Sequence, residues 1–210
     1  MGGTWNGVQN KVLPGVYIDF TSDRGLGLTV SSRGTVAIAE AMSWGPVGTV
    51  QEIESSADMT AYTGYPITAV QNRFLNEMLK GTNRTAAPNK ILLYRLNGTG
   101  GVQAKATISP LTATAVYPGV RGNDISIAVT ALTDPEESFQ VSTIVDGAIV
   151  DSQVGKTVSN LTANAWVTFS GTGALTANVG TPLTGGVDPV AAATNYTDFL
   201  TAIEPYKFDV

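Results

Sequence analysis

Three groups of residues in this 210-residue chain have side chains or spacing that could do chemistry. The first is Gly98-Thr99-Gly100-Gly101, which follows an apolar run as the phosphate-binding loop of a dinucleotide-binding fold does. However, the next segment, residues 104–110, has the pattern of a strand, whereas that fold requires a helix there. We therefore interpret Gly98–Gly101 as a flexible linker between domains.

The other two groups consist of carboxylates. The run Asp134-Pro135-Glu136-Glu137 could ligate a hard cation such as calcium, but it lacks the alternating acids of a calcium loop, and Asp-Pro often begins a turn. A second set could supply a carboxylate pair for acid–base catalysis, although nothing in the sequence brings its members together. Its members are Asp19, Asp23, Glu52 and Glu54. We interpret both groups as exposed, solvated acids.

The composition excludes several classes of protein. There is no cysteine, which excludes disulfides, thiolate zinc sites and cysteine nucleophiles. There is no histidine, which excludes Ser-His-Asp triads and histidine-liganded metals. The net charge of −5 argues against nucleic acid or an anionic membrane as a partner. We therefore predict a protein that is not an enzyme and has no catalytic residues, cofactor or metal.

The chain carries few charges for its length. Only 14% of its residues are charged, against about 25% in an average soluble domain. Two explanations remain open: copies of the chain or partners cover much of the surface, or threonine and serine supply the polarity of a secreted β protein. The N-terminal residues lack the pattern of a signal peptide, and no apolar run approaches the ~18 residues of a membrane span. We therefore predict a protein that is made in a cytoplasm without membrane anchoring.

Residues 1–24 form the first of four predicted regions, an N-terminal arm. Apolar and polar residues alternate from Val16 to Phe20, which is the periodicity of a strand. Such a strand either forms the edge of its own domain or adds to the sheet of a neighbouring subunit, and we predict the second. The predicted subunit-linking residues are Val12, Val16, Tyr17, Ile18, Asp19 and Phe20.

The remaining regions predict an α+β fold in which a mixed α/β module is interrupted by an inserted domain. Residues 25–98 form the first part of the module, with strands at 35–39, 50–53 and 90–96 and helices at 56–62 and 68–80. Residues 99–187 contain short strands at roughly ten-residue spacing, which indicates a small antiparallel β-sandwich or barrel. Residues 188–210 return to the module with a helix at 191–203 and the opening of a strand at 206–210, so the module is expected to need further residues to close its sheet.

Four segments give the chain a resemblance to a known family. They are residues 13–18 (LPGVYI), 34–46 (GTVAIAEAMSWGP), 115–125 (AVYPGVRGNDI) and 183–188 (LTGGVD). In this order they resemble the tail sheath proteins of contractile phage tails, in particular the myovirus-like sheaths of prophages and phage-tail-like bacteriocins. The chain departs from the family in lacking its larger C-terminal part and C-terminal arm.

The resemblance implies a structural role. Sheath subunits polymerise as rings or a helix around an inner tube, and contraction of the sheath drives the tube through a cell envelope. The implied partners are other copies of the chain, the inner tail tube protein, and the baseplate and tail terminator proteins. The implied location is a virion tail or tail-like particle, assembled in the host cytoplasm.

Two other classes of protein remain as alternatives. One is a β-rich carbohydrate- or receptor-binding module, in which an exposed Trp166 or Tyr117 would stack on a sugar. The other is a histidine-free hydrolase that uses paired carboxylates.

Overall fold

A computed structural model describes residues 33–81, 87–133 and 137–209. The first sheet of the fold has three strands. They are β1 (Arg33–Glu40), β2 (Val50–Ile53) and β3 (Pro88–Arg95), in the order β1-β3-β2. The central strand β3 runs parallel to β1 and antiparallel to β2, and its last five residues are buried. The nearly continuous apolar run in the predicted strand at 90–96 predicts such an interior strand, because both faces of a central strand are covered.

Two helices pack on one face of the first sheet, α1 (Ser56–Thr63) and α2 (Arg73–Lys80). Their buried residues form a core cluster with the sheet that contains Ile53, Met59, Leu75, Ile91 and Leu93. A capping box starts α1, and Gly64 ends it in the left-handed conformation, as a glycine after a predicted helix at 56–62 indicates.

The second helix is shorter than its apolar spacing predicts. Residues Val70–Asn72 form a 3₁₀ turn, and Val70 is 82% exposed and does not lie on the apolar face. The cause is Asn72, whose side-chain amide donates hydrogen bonds to the carbonyl oxygens of Tyr65 and Pro66. These bonds hold the chain in a tight turn, so the α-helix begins at Arg73.

Seven antiparallel strands form a β-sandwich. One sheet has the order β10-β6-β7-β8 and the other β4-β5-β9, and both contribute to a single core cluster. The strands are β4 (Lys105–Ile108), β5 (Leu111–Ala115), β6 (Ile125–Ala131), β7 (Phe139–Val145), β8 (Ala148–Gly155), β9 (Val167–Ser170) and β10 (Asn178–Pro182). Short 3₁₀ helices lie at Val120–Asp124 and Val158–Asn160. The predicted α+β class is confirmed.

The pair Asp146-Gly147 between two strand-like segments predicts a β-hairpin, and the structure confirms it. Asp146 and Gly147 connect β7 to β8 as a two-residue turn, with φ angles of 51° and 78°. Two positive φ values are characteristic of the type I′ turn that Asp-Gly favours.

After the sandwich the chain returns to the first sheet as helix α3 (Ala193–Ile203). Phe199 packs against Tyr94 of β3 with ring centroids 5.5 Å apart, and Ile203 is buried. The spacing of Tyr196, Phe199, Leu200 and Ile203 predicts one apolar face for this helix. The prediction is only partly correct, because Tyr196 and Leu200 are 51% and 60% exposed.

The segment after α3 does not form the predicted strand within residues 206–209. Instead, the backbone N–H of Asp209 donates to the Thr35 carbonyl oxygen, and its carboxylate accepts from the Thr35 N–H. Gly34 leaves room for that carboxylate, since a β-carbon there would collide with it. A side chain thus takes one of the two hydrogen bonds that a paired strand would make with Thr35.

Candidate functional site

Three of the four segments that carry the family resemblance meet at one place, between the first sheet and the sandwich. Trp44 lies in the loop after β1, residues 117–123 lie between β5 and β6, and Gly186 and Asp188 follow β10. Asn123 exchanges two hydrogen bonds with the backbone of Gly186, and the Asp188 carboxylate accepts from the Val120 N–H at 2.8 Å. We call this region the junction.

The centre of the junction is an aromatic cluster. Trp44 is 1% exposed, although it lies in a loop of the first sheet, and it belongs to the sandwich core. It stacks on Trp166 with ring centroids 5.0 Å apart and meets Tyr117 edge-on at 5.3 Å. Trp166 and Tyr117 are partly buried and pack against this core, whereas the carbohydrate-binding alternative expects an exposed ring.

Arg121 joins the sandwich to the loops of the first sheet. Its side chain is 3% exposed, and its Nε donates to the Gly64 carbonyl oxygen at 2.8 Å. The guanidinium also binds Asp146 through two bonds of 2.8 and 2.6 Å and Asp124 through one of 2.9 Å. Its central carbon lies 4.3 Å from the Tyr65 ring centroid, which is within the range of a cation–π contact.

Arg95, at the end of β3, joins the two parts in the opposite direction, from the first sheet to the sandwich. It is 1% exposed and donates to the Gly45 carbonyl oxygen at 2.7 Å and to the Pro118 carbonyl oxygen of the sandwich at 2.6 Å. Its Nε has no partner among the described residues. Burial lowers the pKa of Arg95 to about 10, so it remains charged at neutral pH. We call Arg95 and Arg121, with the carbonyl groups they bind across the junction, the arginine clasp.

Two glycines allow the backbones to approach closely at the junction. Gly119 has a φ of 139°, and a β-carbon there would collide with the Ser43 carbonyl group. Gly64 has a φ of 72°, and a β-carbon there would collide with the Trp44 ring. Both positions therefore require glycine because of a distant contact as well as a local turn.

Gly98–Gly101 connects the first sheet to the sandwich, but it is paired along its length with a second segment, which the prediction of a flexible linker did not include. Thr99 exchanges two backbone hydrogen bonds with Val190, and Val102 exchanges two with Val187, at 2.9 to 3.1 Å. The segment that leads into the sandwich and the segment that leads out of it thus run side by side, and each pairs with the backbone N–H and C=O groups of the other. This ribbon restricts the motion that a single glycine-rich crossing would allow.

The candidate carboxylates do not form a catalytic pair within the described residues. Glu52 and Glu54 both form ion pairs with Lys90. The hydrogen bonds that Lys90 donates to them raise the pKa of Lys90, and the bond to Glu52 has the larger effect. Glu137 is exposed and lies 3.9 Å from Lys156. Asp19, Asp23 and residues 134–136 lie outside the described residues.

The described parts of the chain contain no group of three or more acidic residues that could hold a metal ion. Within the same residues, none of the helices is both long and apolar enough to span a membrane. The predicted subunit-linking residues, from Val12 to Phe20, lie outside the described residues.

Two family models match consecutive parts of the chain. The phage tail sheath protein beta-sandwich domain matches residues 99–188, and the tail sheath protein Gp18 domain III N-terminal region matches residues 33–96. The chain belongs to the phage tail sheath family. The resemblance predicted from the four sequence segments is confirmed.

Known relatives of this sheath chain are longer than it is. An alignment of 228 residues with the phage-like element PBSX protein XkdK of Bacillus subtilis (strain 168) shows 36% identity. This alignment covers 100% of this chain and 47% of the relative. It is 34% identical over 227 residues to YqbK of the same organism, with coverages of 99% and 47%. The chain therefore spans about half the length of the curated relatives it matches.

Solved sheath structures share its fold. The sheath tail protein of Desulfitobacterium hafniense superposes with a TM-score of 0.77 at 41% identity, covering 93% of this chain and 44% of that one. The sheath tail protein of Listeria innocua gives a TM-score of 0.75 at 34% identity, covering 85% and 39%.

Acid is expected to weaken the junction of this sheath chain. The hydrogen bonds from Arg121 hold the pKa of Asp146 below its ordinary value of 3.8. A carboxyl group with a lowered folded-state pKa stabilises the fold above its unfolded pKa, and this stabilisation is lost as the pH falls through the folded value. The free energy of unfolding should therefore fall more steeply from about pH 5 to about pH 2 in the wild type than in Asp146→Asn.

Urea unfolding at a series of pH values measures this difference. The exposed Asp198 supplies the control, since Asp198→Asn should leave the pH dependence close to that of the wild type. Parallel curves for the wild type and Asp146→Asn would contradict the expectation.

Proposed function

We propose that the chain is part of a structural subunit of a contractile tail sheath, which polymerises around an inner tube and contracts to drive the tube through a cell envelope. The observation that carries the proposal is the convergence of three family segments on the junction. Contraction converts one subunit lattice into another, so force must pass through each subunit. The arginine clasp, the aromatic cluster and the two paired connecting segments would transmit that force between the first sheet and the sandwich without a hinge.

The proposed partners follow from this role. They are other copies of the chain in rings or a helix, the inner tail tube protein, and the baseplate and tail terminator proteins, and the proposed location is the tail of a virion or tail-like particle. A charged fraction of 14% suits a surface that neighbouring copies cover.

Electron microscopy tests the proposal. The natural gene product that carries this chain is co-expressed with the tube protein of the same particle, and the purified material is examined in negative stain. The expected result is tubes with a regular repeat around a central tube. Discrete monomers under all conditions would contradict the proposal.

We further propose that residues 12–20 link subunits by adding a strand to a neighbour's sheet. In strand addition the main chain provides the hydrogen bonds, and proline removes a donor and fixes φ. Ile18→Pro in the same gene product is therefore expected to give a folded monomer that no longer forms tubes, whereas the control Ile18→Val should assemble. Circular dichroism and electron microscopy measure the two properties. A subunit that unfolds on Ile18→Pro would show that the strand belongs to its own core.

We also propose that residues 99–187 are a domain inserted into one α/β module, formed by residues 25–98 and 188–210. The ends of the insertion are already adjacent, because Thr99 and Val190 pair. Replacing residues 100–186 with a short Gly-Ser linker in the natural gene product is expected to preserve the helices and strands of the remainder. Circular dichroism measures this, and an unfolded remainder would contradict the proposal.

A further inference from the structure

A small cavity lies beside the end of β1, separate from the arginine clasp. Its volume is about 160 Å³, and its lining includes Glu40, Met42, Thr63, Asn72 and Phe74. Pockets that bind free small molecules usually enclose about 300–1,000 Å³. The volume therefore suits a single side chain better than a complete cofactor or drug-sized ligand.

Two buried polar side chains of the cavity wall, Thr63 and Asn72, have used their donors. The Asn72 side-chain nitrogen donates to two carbonyl oxygens, at 2.8 and 3.1 Å, while its side-chain oxygen has no donor among the described residues. Rotating the amide would set that oxygen against both carbonyls, so its orientation is fixed. The Thr63 hydroxyl donates to the Met59 carbonyl oxygen at 2.8 Å. A group that supplies hydrogen-bond donors therefore suits this wall.

The lining carries one charged residue, Glu40. Among the described residues, its carboxylate has no ion-pair partner. Met42 and Phe74 provide apolar walls, and Phe74 adds an aromatic ring. A carboxylate, the unused Asn72 side-chain oxygen, apolar walls and an aromatic ring together match a cation on an aliphatic stem, which is the chemistry of lysine and arginine side chains.

We propose that this cavity receives a lysine or arginine side chain from a second copy of the chain. The choice of a second copy rests on the proposed function, in which copies pack as a polymer, and on charge complementarity. Lys105 and Lys207 are exposed and have no ion pair with any described residue, so the chain presents cations that could enter the cavity. The cation would lie at Glu40, and its stem would pack between Met42 and Phe74.

Titration with n-butylammonium chloride, a mimic of the lysine side chain, tests the cavity itself. We expect saturable NMR shifts of the backbone amides of residues 40–43 and 71–74, with an affinity in about the millimolar range. Glu40→Gln should weaken binding about three- to fivefold, as expected for a partly exposed ion pair, whereas the control Glu204→Gln should not. Neutral 1-butanol should bind more weakly than butylammonium. No saturable shift, or equal binding by Glu40→Gln, would overturn the proposal.

Charge reversal in the natural gene product tests the occupant. Glu40→Lys should repel an incoming cation and raise the concentration needed for tube formation about tenfold at low salt, whereas Glu204→Lys should not. Glu40→Gln, which keeps the shape of the side chain, should have a smaller effect in the same direction, and circular dichroism verifies that each variant folds. Tubes that form equally well with Glu40→Lys would overturn the assignment to a second copy. A wild-type protein that never forms tubes would contradict the proposed function, while the butylammonium titration would still decide whether the cavity binds a cation.

Discussion

Replacing Trp44 with alanine is expected to lower the free energy of unfolding by about 4 kcal/mol, as for other fully buried aromatic residues. The side chain is 1% exposed and contacts Trp166 and Tyr117 of the sandwich from a loop of the first sheet. Its removal leaves a cavity between the two parts of the fold. We therefore also expect the first sheet and the sandwich to unfold less cooperatively. Urea unfolding followed by circular dichroism measures both effects.

Val179→Ala is the control for this truncation. Val179 is an apolar residue of β10 that is fully exposed, so its truncation should change the free energy of unfolding by less than about 0.5 kcal/mol. A loss below about 1 kcal/mol for Trp44→Ala would mean that Trp44 does not hold the two parts together.

Arg121→Met is expected to lower the free energy of unfolding by about 2 kcal/mol, because the buried Gly64 carbonyl oxygen is left without a donor and the charged hydrogen bonds to two half-exposed aspartates are lost. Methionine fills part of the same volume but donates no hydrogen bond. The Gly64 carbonyl oxygen then loses its donor, and Asp124 and Asp146 lose their cation. Chemical denaturation at neutral pH measures the change.

The matched control is Arg73→Met on α2. Arg73 is exposed and makes no ion pair with any described residue, so the same substitution there should be nearly neutral. Equal losses from the two variants would show that Arg121 contributes no more than a surface arginine.

Much of the fold could be predicted because its signals are local. The apolar run of β3 predicted a central strand, and Asp146-Gly147 predicted a hairpin. Apolar periodicity alone failed where a side chain binds the backbone just before the element. The apolar spacing of α2 extends to Val70, but the hydrogen bonds of Asn72 delay the start of the helix.

The junction could not be assembled from the sequence because its contacts join residues that lie far apart in the chain. Gly119 follows a proline, as in many turns, yet its nearest constraint is the Ser43 carbonyl group, 76 residues earlier by the numbering. Arg95 did carry a signal, since it is a cation within the apolar run Ile91–Leu96. Such a residue must find buried acceptors, but the sequence does not show that one of them is Pro118.

The most direct measurement is the distance between the first sheet and the sandwich, because the account requires the junction to hold them as one unit. The chain has no cysteine, so Glu77→Cys on α2 and Val179→Cys on β10 give two unique, exposed sites for spin labels. Pulsed electron paramagnetic resonance then gives their distance distribution in the free chain and in assembled tubes of the natural gene product. The account predicts one narrow distribution that is the same in both. A broad distribution in the free chain, or a shifted one in tubes, would contradict it.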